Sequence, residues 1–97
     1  MHYSFHPHAQ QELEEASAYY ASLNKKLGED FVEEVANAIT RITSFPEAWP
    51  RLSANTRRCR VNRFPYGLIY TRTASEVLIV AVMHLHREPN YWADRIE

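Results

Sequence analysis

Four arginines crowd one short stretch of the chain, Arg57, Arg58, Arg60 and Arg63, and a fifth, Arg72, follows close behind. A guanidinium grips a phosphate or a carboxylate through two parallel N–H groups and keeps its charge at any physiological pH. Arg58 and Arg60 alternate with Cys59 and Val61, the two-residue period of a half-buried strand, so both are expected on one side of it. Arg72 sits on the next strand and joins them if the register permits. Such a face could hold nucleic acid or an acidic peptide. The plainer reading is the solvated outer face of a sheet.

A second group closes the longest apolar run, Val77 to Leu85: His84, His86 and Arg87, followed by Tyr91 and Trp92. Two histidines on one side of a strand end could move protons near neutral pH, or simply hydrogen-bond at a sheet edge. They lack a third ligand at a telling spacing, so no metal is expected, and His2, His6 and His8 read as surface residues. Cys59 falls at an inward position, where a thiol is usually inert. Two glycines, Gly28 and Gly67, cannot build a loop that cradles phosphates, and no cofactor is expected. The paired acids Glu14-Glu15 and Glu33-Glu34 read as solubilising charges, and the aromatics as core or interface material.

The elements that must position these groups follow from periodicity. Tyr3-Ser4-Phe5 alternates and reads as a short strand, after which Pro7 suits the first turn of a helix. Ala9, Leu13, Ala16, Tyr20 and Leu23 recur at helical spacing, with Glu12, Glu14 and Glu15 mostly off that stripe. Leu27, Phe31, Val35, Ala38, Ile42 and Phe45 repeat the pattern until Pro46 ends it. Residues 7–45 therefore form a helical hairpin, hinged near Asn24-Lys25-Lys26. After a loop from Pro46 to Thr56 the period becomes two. Phe64-Pro65-Tyr66-Gly67 and Ala74-Ser75-Glu76 are turn signals that separate the strand of Arg58, the strand Leu68–Thr73 and the strand Val77–Met83. The last is apolar on both faces, as in the middle of a covered sheet. A brief helix is expected from Pro89 through Trp92. The fold class is α+β: a short N-terminal strand, a helical hairpin, a three-stranded antiparallel meander in one sheet, and a short C-terminal helix.

Ninety-seven residues support one core, so one domain over residues 1–97 is expected. With 45% apolar and 24% charged residues the composition is that of a globular protein, and no apolar run approaches the roughly 20 residues of a membrane span. Met1-His2-Tyr3-Ser4-Phe5 has no cationic start followed by an apolar stretch, so no signal peptide is visible. One cysteine fits a reducing cytoplasm. Residues 1–50 carry three basic residues against eight acids, and residues 51–97 carry eight arginines against four acids. That asymmetry suggests a face built for an anionic partner, unless the halves interleave. A pI near 6.5 argues against binding nucleic acid by bulk charge alone.

Glu12-Leu13-Glu14-Glu15-Ala16 with Tyr19-Tyr20, Leu27-Gly28 with Phe31, and Ile39, Ile42 and Pro46 resemble the N-terminal half of RelE/ParE toxins. Arg57-Arg58, Val61, Phe64-Pro65-Tyr66-Gly67-Leu68-Ile69-Tyr70, and His84, Arg87, Pro89, Tyr91 and Trp92 resemble the C-terminal half. Their order and spacing over residues 3–95 point to the ParE-like branch, also called plasmid-stabilisation proteins. The resemblance implies the toxin of a type II toxin–antitoxin pair and a cognate antitoxin that wraps a tail across the sheet and helices. It leaves a homodimer or a heterotetramer with the antitoxin open.

That superfamily holds two activities: RelE-like members cut mRNA in the ribosomal A site, and ParE-like members poison DNA gyrase. The nuclease branch carries an arginine where this chain has Gly67, and that arginine stabilises charge at the cleaved phosphate. The lysines such nucleases place before the second strand are missing too, since residues 47–56 offer only Arg51. Near His84, His86 and Arg87, however, nucleases place histidine, tyrosine or arginine groups. Gyrase inhibition is therefore the expected activity. The alternatives are ribosome-dependent mRNA cleavage and a non-toxic antitoxin-binding role in operon autoregulation. For cleavage, Arg58 or Arg60 would hold phosphate, His84 or His86 move protons, and Arg87 or Tyr91 orient the substrate. For binding the antitoxin or the target, the expected residues are Arg57, Arg58, Arg60, Arg63, Arg72 and Trp92.

Overall fold

A computed structural model describes residues 1–96. Strand β1, His2–Phe5, runs into helix α1, Pro7–Leu23, and helix α2, Lys25–Ser44, folds back along it. His6 precedes Pro7 and caps α1, its Nδ1 accepting the His8 N–H at 3.1 Å. Asn24 alone makes the hinge. Its extended backbone (φ −167°) leaves α1 through an N–H bond to the Tyr20 carbonyl, and its side chain caps α2 by accepting the Lys26 N–H at 2.9 Å. The helices press together at Gly28, where a Cβ would lie 2.7 Å from the Ala21 Cβ. Phe31, Val35, Ala38 and Ile42 form the buried stripe of α2, with Ile39 beside them. Two members of the expected stripes fall outside it. Leu23 is 61% and Phe45 67% exposed, because one is the last residue of α1 and the other has already left the helical backbone as the C-cap of α2.

Strands β2 (Thr56–Arg60), β3 (Tyr66–Arg72) and β4 (Glu76–His84) complete a sheet of order β1-β4-β3-β2. The meander is antiparallel and β1 lies parallel to β4, which puts β4 inside the sheet, as its apolar run requires. The third strand begins at Tyr66, two residues before the expected Leu68, since its pairing with His84 extends past the turn. Ile69 opposes Ala81 while Tyr70 opposes Ile79, so Val80 is an extra residue in β4 and the ladder bulges there. Val77, Ile79 and Val82 join the core under the helices. Val80, Ala81 and Met83 join a second cluster on the opposite face.

The chain beyond β4 covers that second cluster. Trp92 is 3% exposed against Ile69, Val80, Ala81 and Met83, with Tyr91 and Ile96 packed beside it. The helix expected from Pro89 to Trp92 is not there. Asn90 takes a left-handed backbone (φ 68°), which breaks any helix, and a single 3₁₀ turn follows at Ala93–Ile96.

Candidate functional site

Strand register sorts the arginines. Arg58 opposes Ile69 and Arg60 opposes Gly67, so both belong to the outer face, the one away from the helical hairpin. Gly67 makes room for Arg58: a Cβ there would sit 3.1 Å from its Cγ and Cδ. Arg57 opposes Tyr70 on the helix side and donates to the carbonyls of Trp49 (2.8 Å) and Glu47 (3.2 Å). Arg72 shares that side and binds Glu47 at 2.7 Å, so the register does not add it to the row of Arg58 and Arg60. Arg63 stands in the β2–β3 turn with a left-handed backbone (φ 71°) and reaches Asp30 at 3.5 Å. The arginine face is thus Arg58 and Arg60, and neither guanidinium makes a hydrogen bond among the described residues. They border a cleft of about 430 Å³ with Arg41, Trp49, Pro50 and Asn62.

His84 faces the other way. With Glu12, Glu15, Ala16, Tyr19, Tyr66, Val82 and Arg87 it lines a cleft of about 280 Å³ beside α1. Its ring meets Tyr66 edge-on at 5.1 Å, and its Nδ1 accepts the His86 N–H at 3.1 Å. His86 is exposed. Arg87 lies over the Tyr91 ring, 3.6 Å from its centroid. The Tyr91 hydroxyl is buried with no hydrogen-bond partner among the described residues. Burial and the neighbouring Glu12 push it well above the usual phenol range, so it stays protonated. Trp92, expected at a contact surface, is a core residue of the second cluster.

The largest surprise is Glu12, read as a mostly off-stripe acid. Arg95 grips it with both Nη atoms (2.9 and 3.0 Å), Arg87 reaches it at 3.4 Å, and the Val82 N–H donates to it at 3.0 Å. Arg95 also donates to the Val80 carbonyl at 3.0 Å. β1 ends at Phe5 and its last bond runs from the His6 N–H to Ile79. The Glu12–Arg95 pair serves the next groups along the β4 edge in place of a strand. Nothing in the sequence signals this pair, whose members lie at opposite ends of the chain. Arg41 and Trp49 were missed likewise, being isolated in sequence from the arginines they join. Among the described residues no three His, Cys, Asp or Glu side chains gather where they could hold a metal ion, and no helix is long and apolar enough to cross a membrane.

Residues 3–89 match the family model described as "ParE toxin of type II toxin-antitoxin system, parDE". The chain belongs to the ParE toxin family. It is the toxin component of a type II toxin–antitoxin system, and an antitoxin is its partner. The fold agrees with a solved chain described as "Chromosomal ParDE TA system from P. aeruginosa": TM-score 0.65 at 14% identity, over 89% of this toxin and 97% of that chain. At that identity the likeness speaks for the fold. Curated proteins offer no match.

Proposed function

We propose that this toxin poisons DNA gyrase in the cytoplasm by binding it, as a single domain held inactive by its cognate antitoxin. The observation that carries this reading is the separation of the groups an RNA-cleaving site would need. Arg58 and Arg60, the phosphate holders, belong to the outer face of the sheet. His84 and Arg87 line the cleft against α1, and the Tyr91 hydroxyl is buried. General acid–base catalysis needs the proton carrier within hydrogen-bond reach of the substrate proton it moves while the cations hold the same phosphate, and these residues line different clefts. Inhibition by binding asks only for a surface. The family match supports the same reading.

Ribosome-dependent mRNA cleavage keeps one supporting observation, the cleft that brings His84, Tyr66, Tyr19 and Arg87 together. The double variant His84→Ala/His86→Ala separates the two. As a gyrase poison it still arrests growth and still inhibits supercoiling by purified gyrase. A folded double variant that has lost growth arrest would return the assignment to cleavage. A soluble wild-type chain that neither arrests growth nor inhibits gyrase would leave the antitoxin-binding role.

A further inference from the structure

We propose that the cleft at the β2 edge, lined by Arg41, Trp49, Pro50, Arg58, Arg60 and Asn62, reads carboxylates and takes an acidic stretch of the antitoxin polypeptide. This rests on the antitoxin partnership and is independent of the gyrase target.

The first support is where the arginine charges go. Arg63, Arg72, Arg87 and Arg95 pair with Asp30, Glu47 and Glu12. Arg41, Arg51 and Arg57 donate to main-chain carbonyls. Arg58 and Arg60 alone of the arginines have a guanidinium with no hydrogen-bond partner among the described residues, and no acid lines their cleft. Two guanidinium forks one pleat apart, with no internal anion to satisfy them, suit carboxylates spaced along an extended chain.

The second support is preorganisation. Arg58 is half-buried, its stem laid across the bare backbone of Gly67. Arg41 donates to the Arg60 carbonyl at 3.0 Å and brings a third cation to the rim. Trp49 lines the same cleft and keeps its indole N–H buried with no acceptor among the described residues. Indole and proline supply an apolar wall, which a peptide uses and a bare phosphate does not.

Two competing occupants fit less well. An added β-strand would need the outer groups of β2, but the Arg58 N–H already donates to Pro50 at 3.0 Å and the Thr56 carbonyl already accepts the Leu52 N–H at 3.0 Å. A nucleic-acid backbone bears a charge at every step and needs a continuous cationic track. Beyond Arg41, Arg58 and Arg60 no cation lines the cleft, and the whole chain carries a net charge of −1.

Fluorescence anisotropy of the purified chain with labelled decaglutamate, and separately with labelled decathymidylate, tests the site. The expected result is binding of decaglutamate that weakens about tenfold or more in Arg58→Gln/Arg60→Gln, a loss of two charge-assisted contacts. Lys25→Gln, at the opposite end of α2 from Arg41, should leave it unchanged. Arg58→Lys/Arg60→Lys, which keeps the charges but not the forks, should fall between and serves as the second variant if the glutamines misfold. Absence of peptide binding, equal binding in the glutamine variant, or tighter thymidylate binding through the same arginines would each overturn the proposal. Growth arrest on induction reads the toxin separately: a chain that arrests growth but ignores the peptide keeps its family role and loses this site.

Discussion

Tyr70 is 1% exposed, and its hydroxyl donates to the Pro46 carbonyl, fixing the end of α2 to the middle of the sheet. Tyr70→Phe leaves that carbonyl without its donor and is expected to cost about 1 kcal/mol in chemical denaturation. Burial also raises the Tyr70 pKa from 10.0 to about 12. The folded state therefore holds a proton that the unfolded chain releases first. This contribution is complete below pH 10 and is lost as the pH rises towards 12. Over that window the stability of the wild type should fall more steeply than that of Tyr70→Phe. Parallel slopes would mean that the hydroxyl is as accessible in the folded chain as in the unfolded one. Tyr70 was legible as a strand residue, but its partner was not, because no pattern links a tyrosine to a carbonyl in a distant loop.

At the scale of elements, local periodicity carried most of the fold. The two helical stripes, the hinge at Asn24 and the two-sided burial of β4 follow from spacing and residue type. What periodicity could not give is register. One extra residue at Val80 shifts which side chains of β4 share a face, and only the pairing shows Arg72 on the helix side of the sheet. The close helix contact and the Glu12–Arg95 edge are likewise tertiary. Gly28→Ala should force the helices apart at Ala21 and cost roughly 1–3 kcal/mol, the usual penalty of overpacking; a neutral result would mean that the hairpin relaxes freely. Glu12→Gln leaves Arg95, 10% exposed, without its counter-charge. The expected loss is about 3 kcal/mol, or a melting temperature lower by roughly 10–20 °C. A shift of only a degree or two would show that the pair is ornamental to the β4 edge.

At the scale of the whole molecule, the acidic first half and the basic second half interleave. Asp30 meets Arg63, Glu47 meets Arg72, and Glu12 meets both Arg87 and Arg95. Four of the eight arginines in the second half are thus paired with acids of the first half, and the guanidiniums of Arg58 and Arg60 are left without a partner among the described residues. The same folding sends His84 to one face and those two arginines to the other, which favours a toxin that binds over one that cleaves. Pulse-labelling of DNA and protein synthesis, just after the chain is induced without its antitoxin, tests this most directly. The account predicts that DNA synthesis falls first while protein synthesis continues. An early fall in protein synthesis with DNA synthesis intact would contradict it and place the activity at the ribosome.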